Sequence, residues 1–380
     1  MNDSRHKKRI MDVFNGQFPD RVPICEQAFA SSVASGILGH EAITGSTDVH
    51  YFEACAWLQG EQAHDEFVEK CYSDTVELHK KLDLDILYLP WRMNARPTKR
   101  IDDNRILYGD PETNGWAVYK YDEHSRSYGF ERGGEEDTFE TVSRIMRDAI
   151  EAFDPSAPAA VDPLLLRAVR EYGDEFEAAG STGLAVPMSA GWLEATLLDR
   201  PLVDEYLEIM TAFQLKSIEE QSKAGIRLLN GGGDFAFNNG PVYSPDFFFH
   251  VMAPKWKKMF DKAHELGMRY IFRSDGNLWP VADGLFSPGL ADAYYEVDYD
   301  AGMRFGKLRK TYPELVLFGN ISCDFLVNAA PAQVRDRVLE CLNAAYPRIV
   351  SGSANSILHG TPVDNVYALY DTAKNFIPPV

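Results

Sequence analysis

Tyr270-Ile-Phe-Arg-Ser-Asp-Gly-Asn277 is the stretch on which the fold turns. Its three apolar residues predict a buried strand, and they run straight into Arg273, Ser274, Asp275 and Asn277, with Gly276 where the backbone must turn. A core strand that ends in charge is how a barrel or α/β enzyme presents chemistry at the carboxyl ends of its strands. The same residues equally suit a strand-to-helix turn in which Ser, Asp and Asn cap the next helix. The surrounding chain has to separate the two.

Working outward, short apolar strands are expected near residues 22, 85, 184, 227, 270, 295, 316 and 348, mostly separated by helical patterns. The helices include 61–82, 139–152, 163–179 and 201–223, the last with Asp199 as a plausible cap. Ser244-Pro-Asp starts another that stops at Gly267. Residues 95–135 break the rhythm: Arg105-Ile-Leu-Tyr-Gly-Asp-Pro and Gly115-Trp-Ala-Val-Tyr-Lys-Tyr read as two arms of a hairpin. Eight strand–helix units predict an α/β protein of the (β/α)8 TIM-barrel class, one domain over 1–380, with a hairpin insertion after the second strand at about 92–135. A doubly wound sheet is the alternative, but Gly231-Gly-Gly leads into Asp and Phe, and no GxGxxG follows an early strand.

Composition narrows the function. At 380 residues and 45% hydrophobic, the chain has ample material for a core. A formal charge of -19 and a pI near 4.9 exclude a phosphate-binding surface of clustered Lys and Arg, and with it nucleic acid. Cys25, Cys55, Cys71, Cys323 and Cys341 are odd in number and widely spaced, giving neither a disulfide framework nor a zinc knuckle. The polar start Met1-Asn-Asp-Ser-Arg-His-Lys-Lys and the absence of a membrane-length apolar run lead to the expectation of a cytoplasmic protein with no membrane partner.

In a barrel the active site lies where the strands end. The residues there are Glu26, Trp91, Arg92, Ser189 to Glu194 with Trp192, Asp234, Phe235, Arg273, Asp275, Glu296, Asn320, Ser353 and Asn355. Glu26 and Glu296 suit ion pairs with neighbouring Arg or Lys, and Asn320 suits a turn after Gly319. Trp91, Trp192, Trp279, Phe235 and Phe237 either roof the barrel or wall a pocket for a flat organic ligand. His250 and His264 fall within a helix; His359 alone is expected near the mouth. Asp234 and Asp275 end neighbouring strands, where two carboxylates share a proton or hold a cation, or form a plain salt-bridge network with Arg273.

The ordered combination Gly232-Gly-Asp234, Ser244-Pro-Asp, Pro254-Lys-Trp-Lys-Lys, His264-Glu-Leu-Gly-Met, Ser274-Asp-Gly-Asn277, Gly319-Asn-Ile, Asn355-Ser-Ile and Thr361-Pro-Val-Asp-Asn-Val366 resembles the uroporphyrinogen decarboxylase superfamily over most of residues 183–376. The resemblance implies a (β/α)8 barrel and a choice between decarboxylases and cobalamin-linked methyltransferases. The decarboxylases gather substrate carboxylates with an Arg-rich motif after the first strand, where this chain has Cys25-Glu-Gln-Ala-Phe-Ala; their late His falls on Asn355. Thiol methyltransferases of the group hold zinc through His-x-Cys and a late Cys, at positions that correspond here to Arg273, Asp275 and Ser353, so zinc stays open as a cofactor while its usual ligands are missing and no residue is assigned to a metal. The remaining resemblance is to corrinoid-dependent O-demethylase components, with Ser-Asp-Gly-Asn and Ser-x-Asn-Ser-Ile. It implies methyl transfer from a small methoxylated aromatic substrate to the cobalt of a separate corrinoid protein. Asp234, Asp275 and Arg273 would be catalytic; Trp91, Trp192, Glu194, Phe235, Asn277, Asn320, Ser353 and Asn355 would bind substrate. A decarboxylase, or a binding barrel without chemistry, is the alternative.

Overall fold

The computed structural model describes residues 4–113 and 115–378; the first three residues of the polar start lie outside them. Seven strands form one parallel sheet: β1 (Ile86–Leu87), β2 (Glu177–Gly183), β3 (Leu228–Gly232), β4 (Arg269–Arg273), β5 (Ala293–Tyr295), β6 (Val316–Phe318) and β7 (Ile349–Val350), paired in that order. Helices connect most of them, as parallel pairing requires. The sheet curls until residues 23–25 lie between its two edges. Ser351 donates to the Pro23 carbonyl (2.9 Å), Cys25 to Ser351 (3.0 Å), and Asp85 to Ile24 (2.8 Å).

A buried carboxylate holds this junction. Asp85 is fully buried and accepts from the Ile24 amide (2.8 Å), from Arg21 (2.7 Å) and Arg9 (3.1 Å), and pairs with His6 (2.9 Å). A charge taken out of water is tolerated only with such partners. The same N-terminal helix, Arg5–Phe14, sends Ile10, Val13 and Phe14 into the sheet's concave side. There they meet Ile86, Leu228, Ile271, Tyr295, Phe318 and Val350, and this cluster fills the interior. The alternate strand residues, such as Tyr270 and Phe272, pack outward against Trp256 and Phe260 of the Ala253–Glu265 helix. With Ile271 inward, Arg273 is inward too, two residues nearer the carboxyl end.

Most expected helices form, at Glu61–Leu82, Phe139–Ala152 and Arg200–Lys223 with the Asp199 cap in place (Leu202 N to Oδ1, 3.3 Å). Ser244 caps its helix (3.1 Å to the Phe247 amide), which passes through a π-helical turn at Phe248–Met252. One strand is displaced: the strand expected near residue 184 is β2 at Glu177–Gly183, and the helix before it, expected over 163–179, stops at Tyr172. Its sequence, Glu-Ala-Ala-Gly-Ser-Thr-Gly, has small residues where an apolar run was expected, because Gln221 and Ile226 press against Gly180 too closely for a Cβ. The arms at Arg105–Tyr108 and Ala117–Asp122 pair antiparallel as expected, but inside a four-stranded sheet with Lys99–Arg100 and Ser127–Gly133. This sheet packs on the Asp48–Gln59 helix, with Tyr51 stacked on Tyr121 at 4.2 Å.

All five cysteines are free thiols. Among the described residues no helix is long and apolar enough to cross a membrane.

Replacing Asp85 by Asn removes the charge that four donors converge on. The expected cost is about 3–5 kcal/mol, the range for breaking a buried ion pair. Asp83→Asn, at a half-exposed partner of Arg21, should cost under ~1 kcal/mol. Urea unfolding of both variants beside the wild type checks the contrast.

Candidate functional site

Three carboxylates meet where β3, β4 and β5 end. Asp234 follows β3, Asp275 follows β4 and Glu296 follows β5, and one oxygen of each lies within 4.8 Å of the others. Close strand pairing makes this possible: Gly232 faces Arg273 in the ladder, and a Cβ on Gly232 would collide with the Arg273 carbonyl. At Gly276, φ is +83° and a Cβ would lie 2.5 Å from the Ala236 carbonyl, so only glycine lets the loop after Asp275 pass. Glu296 itself is left-handed at φ +61°, a conformation uncommon for a residue of its size.

The three differ in exposure: Asp234 is exposed, Asp275 half-buried, Glu296 1% exposed. Glu296 Oε1 accepts from Arg273 (2.9 Å), Gln27 (2.7 Å) and Asn355 (3.3 Å), while Oε2 is enclosed without a partner. Burial pushes its carboxyl upward and Asp234 adds to this, outweighing the pull of Arg273. Asn355 also donates to Asp275 Oδ2 (3.0 Å). Burial, then Glu296 and Asp234, raise Asp275 to about 7, against the lowering effect of that hydrogen bond. Arg273 keeps its charge: burial opposes it, and Glu296 and Asp234 more than compensate.

Beside the trio lies a second carboxylate layer. Glu26 follows residues 23–25 and is fully buried. It accepts from the Ser353 amide (3.1 Å) and hydroxyl (2.7 Å), from Tyr370 (2.9 Å) and from Tyr295 (3.4 Å). Burial raises it to about 7 despite these donors. The Tyr295 hydroxyl also accepts from the Gln27 amide (3.3 Å), and Gln27 reaches Glu296, so the two layers are joined.

The structure brings Asp234, Asp275, Arg273 and Asn355 together. It gives other candidates different tasks. Phe235 is fully buried, stacked on Tyr243 (5.4 Å) and Phe248 (5.8 Å) in the outer core, which removes it from the substrate-binding set. Asn320 donates to the carbonyls of Val297 (2.9 Å) and Met303 (3.0 Å), so its amide braces loops. Asn277 accepts from the Trp279 amide (3.0 Å), which is the turn-capping alternative for the opening stretch; Asp275 does no such capping. Ser353 is wholly enclosed against Glu26. Trp91 is 79% exposed with its edge on His50, Trp192 packs on Tyr206, and Glu194 is exposed on the Ala190–Leu198 helix. Arg92 pairs with buried Glu53 (2.7 Å). His359 meets Ser32 (2.7 Å), and His264 pairs with Asp292 (2.9 Å) at the amino end of β5. Gln27, Tyr88 and Tyr295 were not singled out in sequence; their inward position follows only once the strand register is known.

The zinc-thiolate set does not fit. Of the three positions, one is a guanidinium paired with Glu296, one a carboxyl and one an enclosed serine hydroxyl, none able to supply thiolate or imidazole.

A family model described as "Uroporphyrinogen decarboxylase (URO-D)" matches residues 182–376. No curated protein matches significantly. Among solved structures, a crystal structure of D-psicose 3-epimerase in the presence of D-fructose is similar at 10% identity and TM-score 0.34, covering 62% of this chain and 90% of that one.

Glu26 gives a pH test. Its carboxyl sits above the ordinary range, so its contribution to stability is complete below about pH 4.5 and is lost as pH rises through about 7. The loss between those limits is roughly 3 kcal/mol. Gln at this position can turn its amide toward the Ser353 hydroxyl, which can accept in place of donating. Glu26→Gln should therefore flatten the stability profile between pH 5 and pH 8, measured by urea unfolding.

Proposed function

The chain belongs to the uroporphyrinogen decarboxylase family, and we propose that within it the protein is a methyltransferase, moving methyl from a small methoxylated aromatic substrate to the cobalt of a separate corrinoid protein. The observation that carries this reading is the cluster of Asp234, Asp275 and Glu296, braced by Arg273 and Asn355, in which Asp275 and Arg273 stand at two of the positions where thiol-activating members would need soft zinc ligands. A phenolate is a poor leaving group, so the departing oxygen needs an electrophile, which this cluster can provide and a thiol-activating site would not need to.

The partner's corrinoid supplies the nucleophile. This chain's residues bind the ether and assist its oxygen. Asp275 is the proton donor: Asn355 fixes Oδ2, leaving the other oxygen for substrate, and burial, with Glu296 and Asp234, keeps the proton on it toward neutrality. Arg273 is held on Glu296 and keeps that buried carboxylate in place, a task that leaves it less free to clamp a substrate carboxylate. Phe237 (61% exposed) and Trp91 lie open after β3 and β1, in keeping with a rim that a second protein approaches. With residues 23–25 taken as the eighth strand, the sheet is a closed (β/α)8 barrel, a single domain with 92–135 as its insertion. Acidity and free thiols suit the cytoplasm.

Decarboxylation of a polycarboxylate is the weaker reading. Three carboxylates would face the substrate, and the cation among them is already paired.

Asp275→Asn should lower methyl transfer by about 10²–10⁴-fold, the usual contribution of a general acid. The assay follows loss of the cobalt(I) corrinoid absorbance with a panel of methoxylated aromatics. Undiminished transfer would remove the carboxyl from the mechanism.

A further inference from the structure

We propose that Asp234, Asp275 and Glu296 form a binding site for one hard divalent cation of the Mg²⁺ or Mn²⁺ type. Three carboxylate oxygens from three consecutive strand ends lie within 4.8 Å of one another, close enough for one ion to touch all of them. Carboxylate ligands with room left for water are what such ions take. An acidic cluster alone would not suffice, but this one contains unsatisfied polar groups. Glu296 Oε2 is enclosed without a hydrogen-bond partner, and so is the hydroxyl of Tyr88, within electrostatic reach of Glu296 and Arg273. An enclosed, unpaired carboxylate oxygen is costly unless something positive meets it.

The surroundings have the form of a second coordination shell. Arg273, Gln27 and Asn355 donate to Glu296 Oε1, and Asn355 to Asp275 Oδ2, so the buried carboxylates are oriented from behind. The charges balance: three carboxylates and one guanidinium leave -2 for the ion to neutralise. The group of His40, Asp74 and Glu77, in which only Asp74 is buried, offers a contrast. There Asp74 already serves the Ile43 amide and Lys70, and His40 pairs with Glu77, with no orphaned oxygen.

Ligation needs ionised carboxylates, so the cation would replace the proton on Asp275 and take over its electrophilic role. The site itself stands on geometry and does not require the methyl-transfer reading. The test is titration of the full chain, stripped with EDTA, with MnCl₂ while the free Mn²⁺ paramagnetic resonance signal is followed. One bound Mn²⁺ is expected. Asp234→Asn, at an exposed position that should not disturb folding, and Asp275→Asn should each weaken it at least ~tenfold, and His40→Ala should leave it unchanged. No binding up to roughly 1 mM, binding unchanged in both acidic-site variants, or loss in His40→Ala would each overturn the site. Mn²⁺ bound without methyl transfer from any donor would count against the proposed function and not against the site.

Discussion

Everything at the carboxyl end of the sheet depends on Asp85. Residues 23–25 are too short to hold an edge by backbone bonds alone. The buried carboxylate draws the Ile24 amide, Arg9, Arg21 and His6 to one point and so fixes that segment against β1. Each donor compensates part of the cost of burying the charge, and the set is satisfied only in the curled arrangement. Once the segment is fixed, the next two residues, Glu26 and Gln27, are delivered to Ser353 and Glu296. A clamp on one side of the sheet thus sets the geometry of the site on the other.

The site is built as two layers of carboxylate with opposite surroundings. Glu26 is sealed by hydroxyls and an amide and has no cation on it, so burial dominates and the group favours its neutral form. Glu296 is as deeply buried but carries Arg273 on one oxygen and nothing on the other. Asp275 sits between burial and solvent, close to both other acids. Tyr295 and Gln27 connect the layers by hydrogen bonds, from Tyr295 to Glu26, from the Gln27 backbone to Tyr295 and from the Gln27 side chain to Glu296. The deep layer holds shape, and the shallow one has oxygens to spare for a ligand.

Much of this was legible in sequence where local rules and burial agree. Ser244, Asp199 and the long helices follow from capping and periodicity, and Arg273 and Asp275 from a strand that ends in charge. The misses have definite causes. Glu177–Gly183 lacks an apolar run, and at Gly180 Gln221 and Ile226 leave no space for a Cβ, so periodicity points to the apolar Gly183-Leu-Ala-Val-Pro-Met188 instead. Phe235 and Asp234 are adjacent, yet one turns into the core and the other to the mouth, a difference set by backbone direction after β3. Glu296 was assigned to an ion pair, which it makes; that it also completes the acidic trio depends on the proximity of three strand ends, which no local pattern encodes. Asn320 was read from its place after Gly319, but its left-handed backbone (φ +69°) aims the amide at Val297 and Met303.

The type of ligand at the strand ends decides the chemistry. His-x-Cys and a late Cys would set a soft site between β4 and β7, suited to a thiol that must lose its proton. Here Ser353, after β7, points inward to Glu26, and Arg273 pairs with Glu296, so neither position offers such a ligand. What is polar and open lies at the ends of β3, β4 and β5, and it is made of oxygen. An oxygen site cannot soften a sulfur nucleophile, but it can carry a proton or a hard cation to an oxygen that is leaving. Arg273 fits an oxygen site and would not fit a soft one. Beside a thiolate-bound metal its charge would compete with the ion, whereas beside three carboxylates it removes one excess negative charge and leaves the trio fit for a single electrophile.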